Sequence, residues 1–205
     1  MKKNYIILGV IALLLIIICG DGCSRYNKMV VADEGVKTAW AQVENQYQRR
    51  MDLIPNLVST VKGYAEHEKS TFEAVVNGRN GLTNAFNNAA ENKPETGTLP
   101  SENEIKKFQD TQRQLQSALN IYVNAVREAY PELKANESFR DLMTQLEGTE
   151  NRITTERKRY NETAQNYNIM VRRFPGSFYA GIFGFDKASL FAAEAGAEKA
   201  PKVEF

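Results

Sequence analysis

From Val36 to Val75 apolar side chains return once per helical turn. Val36, Trp40, Val43, Tyr47, Met51, Ile54, Val58, Val61, Ala65, Phe72 and Val75 are separated by steps of three or four, with one step of seven. Side chains three and four apart share one face of an α-helix, so this spacing predicts an amphipathic helix. A helix of about forty residues is roughly 60 Å long. Such a rod is not stable alone in water and must lay its stripe against partners. Pro55 removes one N–H and crowds the carbonyl of Met51. The stripe stays in phase across it, so a kink is expected, with two stacked helices meeting near Asp52 as the alternative.

Residues 77–103 lose the pattern. NGRNG, NKPETGTLP and SEN are turn chemistry, and a connection is expected there. The first helix reaching Phe86, or a short extra helix between Phe86 and Pro100, are variants of that reading. Ser101 and Glu104 then have capping-box spacing. Ile105, Phe108, Leu115, Leu119, Tyr122, Val126 and Ala129 follow at heptad spacing, with polar Gln112 completing the series. Pro131 closes this helix. Asn136 or Ser138 can cap a third, whose stripe is Phe139, Leu142, Leu146, Ile153, Tyr160, Tyr167, Met170 and Phe174. Polar Thr149 and Glu156 interrupt it, and Pro175-Gly176 ends it. The strict alternation of a strand is missing. Helices are expected at about 29–80, 101–130 and 136–174. Short connections make neighbours antiparallel. The fold class is all-α, an elongated up-down antiparallel bundle of three to four long helices, occupying about 26–175.

Residues 1–25 differ. Lys2 and Lys3 precede an apolar run from Tyr5 to Cys19, and Asp21 stops it. Fifteen residues are many for a signal-peptide core and few for a span, which takes about 20. The run is an uncleaved signal anchor, a lipoprotein signal with Cys23 acylated, or a signal cleaved after Gly22. All three export the rest of the chain, and Lys2 and Lys3 favour a cytoplasmic N-terminus. Residues 176–205 form a Gly- and Phe-rich tail. Six of the chain's twenty aromatics fall between Phe174 and Phe191, and the interspersed glycines disfavour a long regular helix. Phe178, Tyr179, Phe183 and Phe185 are candidate contacts to a partner or to lipid, with packing back on the bundle as the third option. The last residues, from Glu194 on, look solvated.

Composition narrows the chemistry. Lys+Arg 26 against Asp+Glu 25 gives a net charge of +1, so no whole-chain field favours nucleic acid. The basic run Glu156 to Tyr160 is offset by Glu147, Glu150, Glu156 and Glu162. Two Cys and one His exclude Cys/His zinc clusters and any site needing two histidines. His67 lacks the second His of a zincin, since Thr71 stands four places on. It reads as a helix-surface residue between Glu66 and Glu68. Arg49 and Arg50 beside Asp52 read as a solvated helix face, or as contacts to lipid phosphate or a partner carboxylate. Tyr160-Asn161 and Tyr167-Asn168, seven apart, share one face. They read as core tyrosines whose neighbouring asparagines close a ladder between helices, with a sugar or peptide groove as the functional option. No catalytic residue, cofactor or metal is expected.

Five segments together resemble the LemA family. They are YNKMV (Tyr26 to Val30), AWAQVENQYQRRMDLIPNLVSTVKGYAEHE (Ala39 to Glu68), YPELKANESFRDL (Tyr130 to Leu142), LEGTENRI (Leu146 to Ile153) and RYNETAQNYN (Arg159 to Asn168). The resemblance implies a bacterial protein with an N-terminal hydrophobic anchor, a long antiparallel bundle and no established catalytic residue or cofactor. The expected role is a non-enzymatic scaffold of the cell envelope. It would be held at the membrane by its anchor and contact an envelope protein or copies of itself. The alternative is a membrane-shaping protein using the bundle surface and aromatic tail. An enzyme is the least supported reading.

Overall fold

The computed structural model describes residues 2–68, 72–95 and 97–192. Within 2–19 only Gly9 and Leu13 are described beyond their backbone, and the side chains of 67 and 68 are likewise outside the description. The elements are α1 (Lys2–Glu68), α2 (Glu73–Glu91), α3 (Glu102–Ala129), a 3-10 turn (Pro131–Ala135), α4 (Glu137–Arg172) and α5 (Gly176–Phe183). No strand occurs among the described residues.

α1 is one helix of 67 residues and passes through Pro55 without a break, so the stacked pair meeting near Asp52 is not formed. The expected first helix, 29–80, needs correcting at both ends. It begins far earlier, and it stops at Glu68, after which 73–91 form a helix of their own. The Asn/Gly content of α2 reads as turn chemistry but serves packing. Val75, Gly78, Leu82 and Ala89 are its buried face. A Cβ on Gly78 would meet the Tyr122 Cα at 3.3 Å, so the missing side chain lets α2 and α3 approach closely. Close backbone approach is most extensive between α1 and α4 and between α2 and α3.

Local signals set the other boundaries. The Ser101 N–H donates to Glu104 Oε2 at 2.8 Å, and Ser101 Oγ accepts from the Glu104 N–H at 3.4 Å, the reciprocal capping box. Asn136 Oδ1 accepts from the Phe139 N–H at 3.1 Å and opens α4. Phe174, expected to end the third stripe, lies beyond α4 and is 83% exposed.

Ring contacts fix the directions. Tyr47 and Trp40 meet Phe108, whereas Tyr64 meets Tyr130. α3 therefore runs alongside α1 in the same sense. Trp40 also meets Tyr160, and Arg50 meets Glu150, so α4 runs the opposite way. The core falls into two clusters. The lower contains Met51, Leu57, Val61, Leu82, Leu115, Tyr122, Val126, Phe139 and Leu146. The upper contains Met29, Val36, Trp40, Val43, Tyr47, Phe108, Ile153, Tyr160, Tyr167 and, from the tail, Ala180, Ala188 and Phe191. Trp40, Phe108, Tyr122, Tyr160 and Tyr167 are all fully buried. Each such large side chain stabilises the fold by about 1.5–3 kcal/mol.

Candidate functional site

The tyrosine–asparagine repeat on α4 faces the chain's own tail. After α5, Gly184 takes a left-handed conformation (φ 75°), which glycine adopts without strain. The chain then returns along α4 in a segment without regular secondary structure, residues 185–192. Asn168 Oδ1 accepts from the Ala188 N–H and its Nδ2 donates to the Ala188 carbonyl, both at 2.8 Å. Asn161 treats Phe191 the same way, at 2.9 and 3.1 Å. The Tyr167 hydroxyl donates to the Asp186 carbonyl and that of Tyr160 to the Ser189 carbonyl, each at 2.8 Å. The tyrosine tips thus reach a partner, but the asparagines do not bridge helices. They hold an extended strap by its backbone.

Phe191 anchors the strap. Its ring stacks on Trp40 at 5.6 Å and meets Tyr160 edge-on, while the Arg157 guanidinium lies 5.0 Å from its centroid. Burial pushes the Tyr160 hydroxyl up to about 12. Burial does the same for Tyr167, to about 12, helped by the negative charges of Asp33 and Asp186. Both remain neutral donors across the physiological range. Trp40 and Lys93 also neighbour the carboxyl of Glu44, which burial raises above the ordinary glutamate value.

A second polar cluster lies between the two cores. Arg50 is 2% exposed, so the expectation of a solvated face or an external contact does not hold for it. Its Nη2 donates to Gln112 Oε1 at 2.6 Å, and its Nη1 donates to Gln116 Oε1 and Glu150 Oε2, both at 2.9 Å. The guanidinium lies 5.1 Å from the Tyr47 ring centroid. One cation thereby ties α1 to α3 and α4. Arg49, one residue earlier, faces solvent. A cleft of about 680 Å³ opens beside the cluster, with Leu119, Val123 and Phe139 on its floor and Arg127, Lys134 and Arg140 at its rim.

The remaining candidates gather where α5 meets α1. The Tyr179 ring packs on Gly22, where a Cβ would lie 3.2 Å from it, and its hydroxyl donates to Asp21 Oδ2 at 3.3 Å. Phe183 and Phe185 flank the Tyr26 ring at 4.9 and 5.7 Å. Phe185 is half-buried, whereas Phe178 is 61% and Phe183 45% exposed. Cys23 is a free, exposed cysteine on α1. The apolar run Tyr5 to Cys19 lies, apart from Gly9 and Leu13, outside the described side chains, as does His67. Among the described residues no helix is long and apolar enough to cross a membrane, and no group of acidic, His or Cys side chains is placed to hold a metal.

Residues 39–205 match the profile of the LemA family. The chain belongs to the LemA family. Its curated relatives include magnetosome proteins MamQ 1 and MamQ 2 of Paramagnetospirillum magneticum, each 30% identical over 176 residues. Magnetosome protein MamQ of Magnetospirillum gryphiswaldense is 27% identical over the same length. Each alignment covers 82% of this LemA-family chain but 64% of the relative, so the chain spans less than two thirds of their length. The strap bonds, the buried Arg50 and the buried Glu44 escape a reading of the sequence. Its signals for the first two are the heptad-spaced Tyr-Asn pairs and a polar residue in each of two stripes, Gln112 and Thr149.

Proposed function

We propose that the protein is a membrane-anchored, non-enzymatic scaffold of the bacterial envelope, presenting its bundle to an envelope partner or to copies of itself. The observation that carries this reading is the continuity of α1 from Lys2 to Glu68. A bilayer holding residues 5–19 would hold the bundle as a stiff extension of the same helix, not as a tethered domain. The placement of Lys2 and Lys3 supports a bundle outside the cytoplasm. One His and two Cys, the latter both in the first 25 residues, support a non-enzymatic role. Likeness to magnetosome proteins supports a part in an assembled cellular structure. Carbonate extraction of native membranes followed by intact mass tests it. Full-length mass in the pellet supports the anchor, and a lipid adduct beginning at Cys23 supports the lipoprotein form. Protein found free in the soluble fraction refutes the reading.

A second reading, direct lipid contact, is favoured by one specific feature. Phe174, Phe178, Ile182 and Phe183 are 83%, 61%, 60% and 45% exposed at the end of the bundle where α5 packs on residue 22 of α1. Arg25, Lys28 and Arg173 line a cleft beside them. Apolar side chains next to cations suit the headgroup region of an anionic bilayer. A nitroxide at position 178 in vesicles containing anionic lipid should report depth within the interface. Full water exposure of the label would refute the contact.

A further inference from the structure

The strap groove is recognised by main chain more than by side chain. Six hydrogen bonds from four side chains of α4 reach only backbone atoms of residues 186, 188, 189 and 191. Ala188 and Phe191 are 6% and 5% exposed, whereas Asp186, Lys187 and Leu190 are exposed. The spacing matches on both sides. Seven helical residues advance about 10.5 Å, and three extended residues advance about 10–11 Å. Asn161 and Asn168 therefore meet residues three apart, Phe191 and Ala188, and Tyr160 and Tyr167 meet Ser189 and Asp186, again three apart. The groove asks for an extended peptide with a small residue and, three places on, an aromatic one.

We propose that this groove is a peptide-binding site whose second occupant is the strap of another copy of the chain, so that copies exchange residues 185–192. An identical segment restores every bond and the Trp40–Phe191 stack, so exchange costs little beyond association itself. The strap is the part of the fold built to leave. It has no regular secondary structure, much of it is exposed, and glycine at position 184 is its hinge. Segments so held open at lower free energy than packed helices. Confinement at a membrane would raise the effective concentration of neighbouring straps, but the proposal stands without it.

The test pairs two full-length variants in detergent. One has a broken groove, Asn161→Ala with Asn168→Ala, and keeps its strap. The other has a broken strap, Ala188→Arg with Phe191→Asp, and keeps its groove. Mixed, they should form a one-to-one complex by light scattering, while each alone stays monomeric. A synthetic peptide of residues 185–205, titrated onto the strap-broken variant, gives a readout independent of the groove-broken variant's folding. It should bind saturably, and its Phe191→Ala version should bind about tenfold or more weakly. The proposal is overturned if the peptide fails to bind, if helical variants mix without associating, or if the strap-broken variant dimerises alone.

Discussion

Replacing Arg50 with leucine removes the cation that joins α1, α3 and α4. Its effect can be worked from the three acceptors left behind. Gln112 is 3% exposed, so its orphaned carbonyl should cost the full penalty of a buried acceptor, about 1–3 kcal/mol. Gln116 is half-buried, so its Oε1 regains water and loses less, while its Nε2 goes on donating to Asn120 Oδ1 at 3.3 Å. The Glu150 side chain is 42% exposed and regains water, which discounts the ion pair itself. Against these losses, leucine buries apolar area and no longer pays the desolvation of a guanidinium. The net expectation is about 2 kcal/mol of destabilisation, or a fall in Tm of about 4–8 °C for a chain this size. Urea unfolding in detergent, followed by the fluorescence of the single tryptophan, Trp40, and by helical circular dichroism, measures it. Adding Gln112→Leu removes the orphan, so the double variant should be more stable than the sum of the singles predicts, by about 1 kcal/mol. Strict additivity, or an Arg50→Leu protein as stable as the parent, would refute the reasoning.

Tyr160 and Tyr167 carry folded-state pKa values near 12, above the ordinary value of 10.0. Their contribution is complete below pH 10 and is lost as pH rises through 12; burial raises Tyr122 to about 12 as well, so spectrophotometric titration should show a late-ionising group that includes these three tyrosines and loses one member in Tyr160→Phe and one in Tyr167→Phe. Burial raises the Glu44 carboxyl, so the fold favours its protonated form; that contribution is complete below the ordinary glutamate range and is lost as pH rises through the raised value. Glu44→Gln should therefore raise Tm at pH 7 and lose this advantage at pH 4, and an equal shift at both would contradict the assignment. A Cβ on Gly176 would collide with the Met170 carbonyl oxygen and approach Met29 Cε at 3.3 Å. Gly176→Ala should displace α5 and destabilise the fold by about 1–3 kcal/mol, read as a lower urea midpoint.

The stripes were legible because each helix buries one face and the chain repeats that demand at every turn. All but three of the first stripe's eleven residues are buried, and the capping box at Ser101 and the cap at Asn136 sit where local chemistry placed them. The reading failed where one residue type serves two purposes. Gly78 and the asparagines of α2 look like a turn, yet the glycine is there for close contact with Tyr122. Arg50 looked solvated because its charge is visible in the sequence and its three acceptors, 62, 66 and 100 residues away, are not. The Tyr-Asn pairs were recognisable as a face, but their partner is a segment without periodicity, and no spacing rule announces such a strap.

The polar layer also answers a question that the stripes leave open. Both helices of the α1–α4 pair repeat their large side chains every seven residues, so sliding α4 by seven, about 10.5 Å, would again set aromatic against aromatic. Tyr167 would replace Tyr160 opposite Trp40, with much of the apolar burial retained. The Arg50 layer does not survive that slide. Residue 150 would be replaced by Met143 or Arg157, and an equal shift of α3 would bring Ile105 or Leu119 in place of Gln112. A buried guanidinium would then face hydrocarbon or another cation, a penalty of several kcal/mol. The cluster thus separates the native register from its slipped competitors even where its net contribution to stability is small. It also sets Tyr160 beside Trp40, with Asn161 next to it in the chain to hold the Phe191 backbone, which is the arrangement the strap requires. The groove at one end of the bundle therefore depends on a charge buried near its middle.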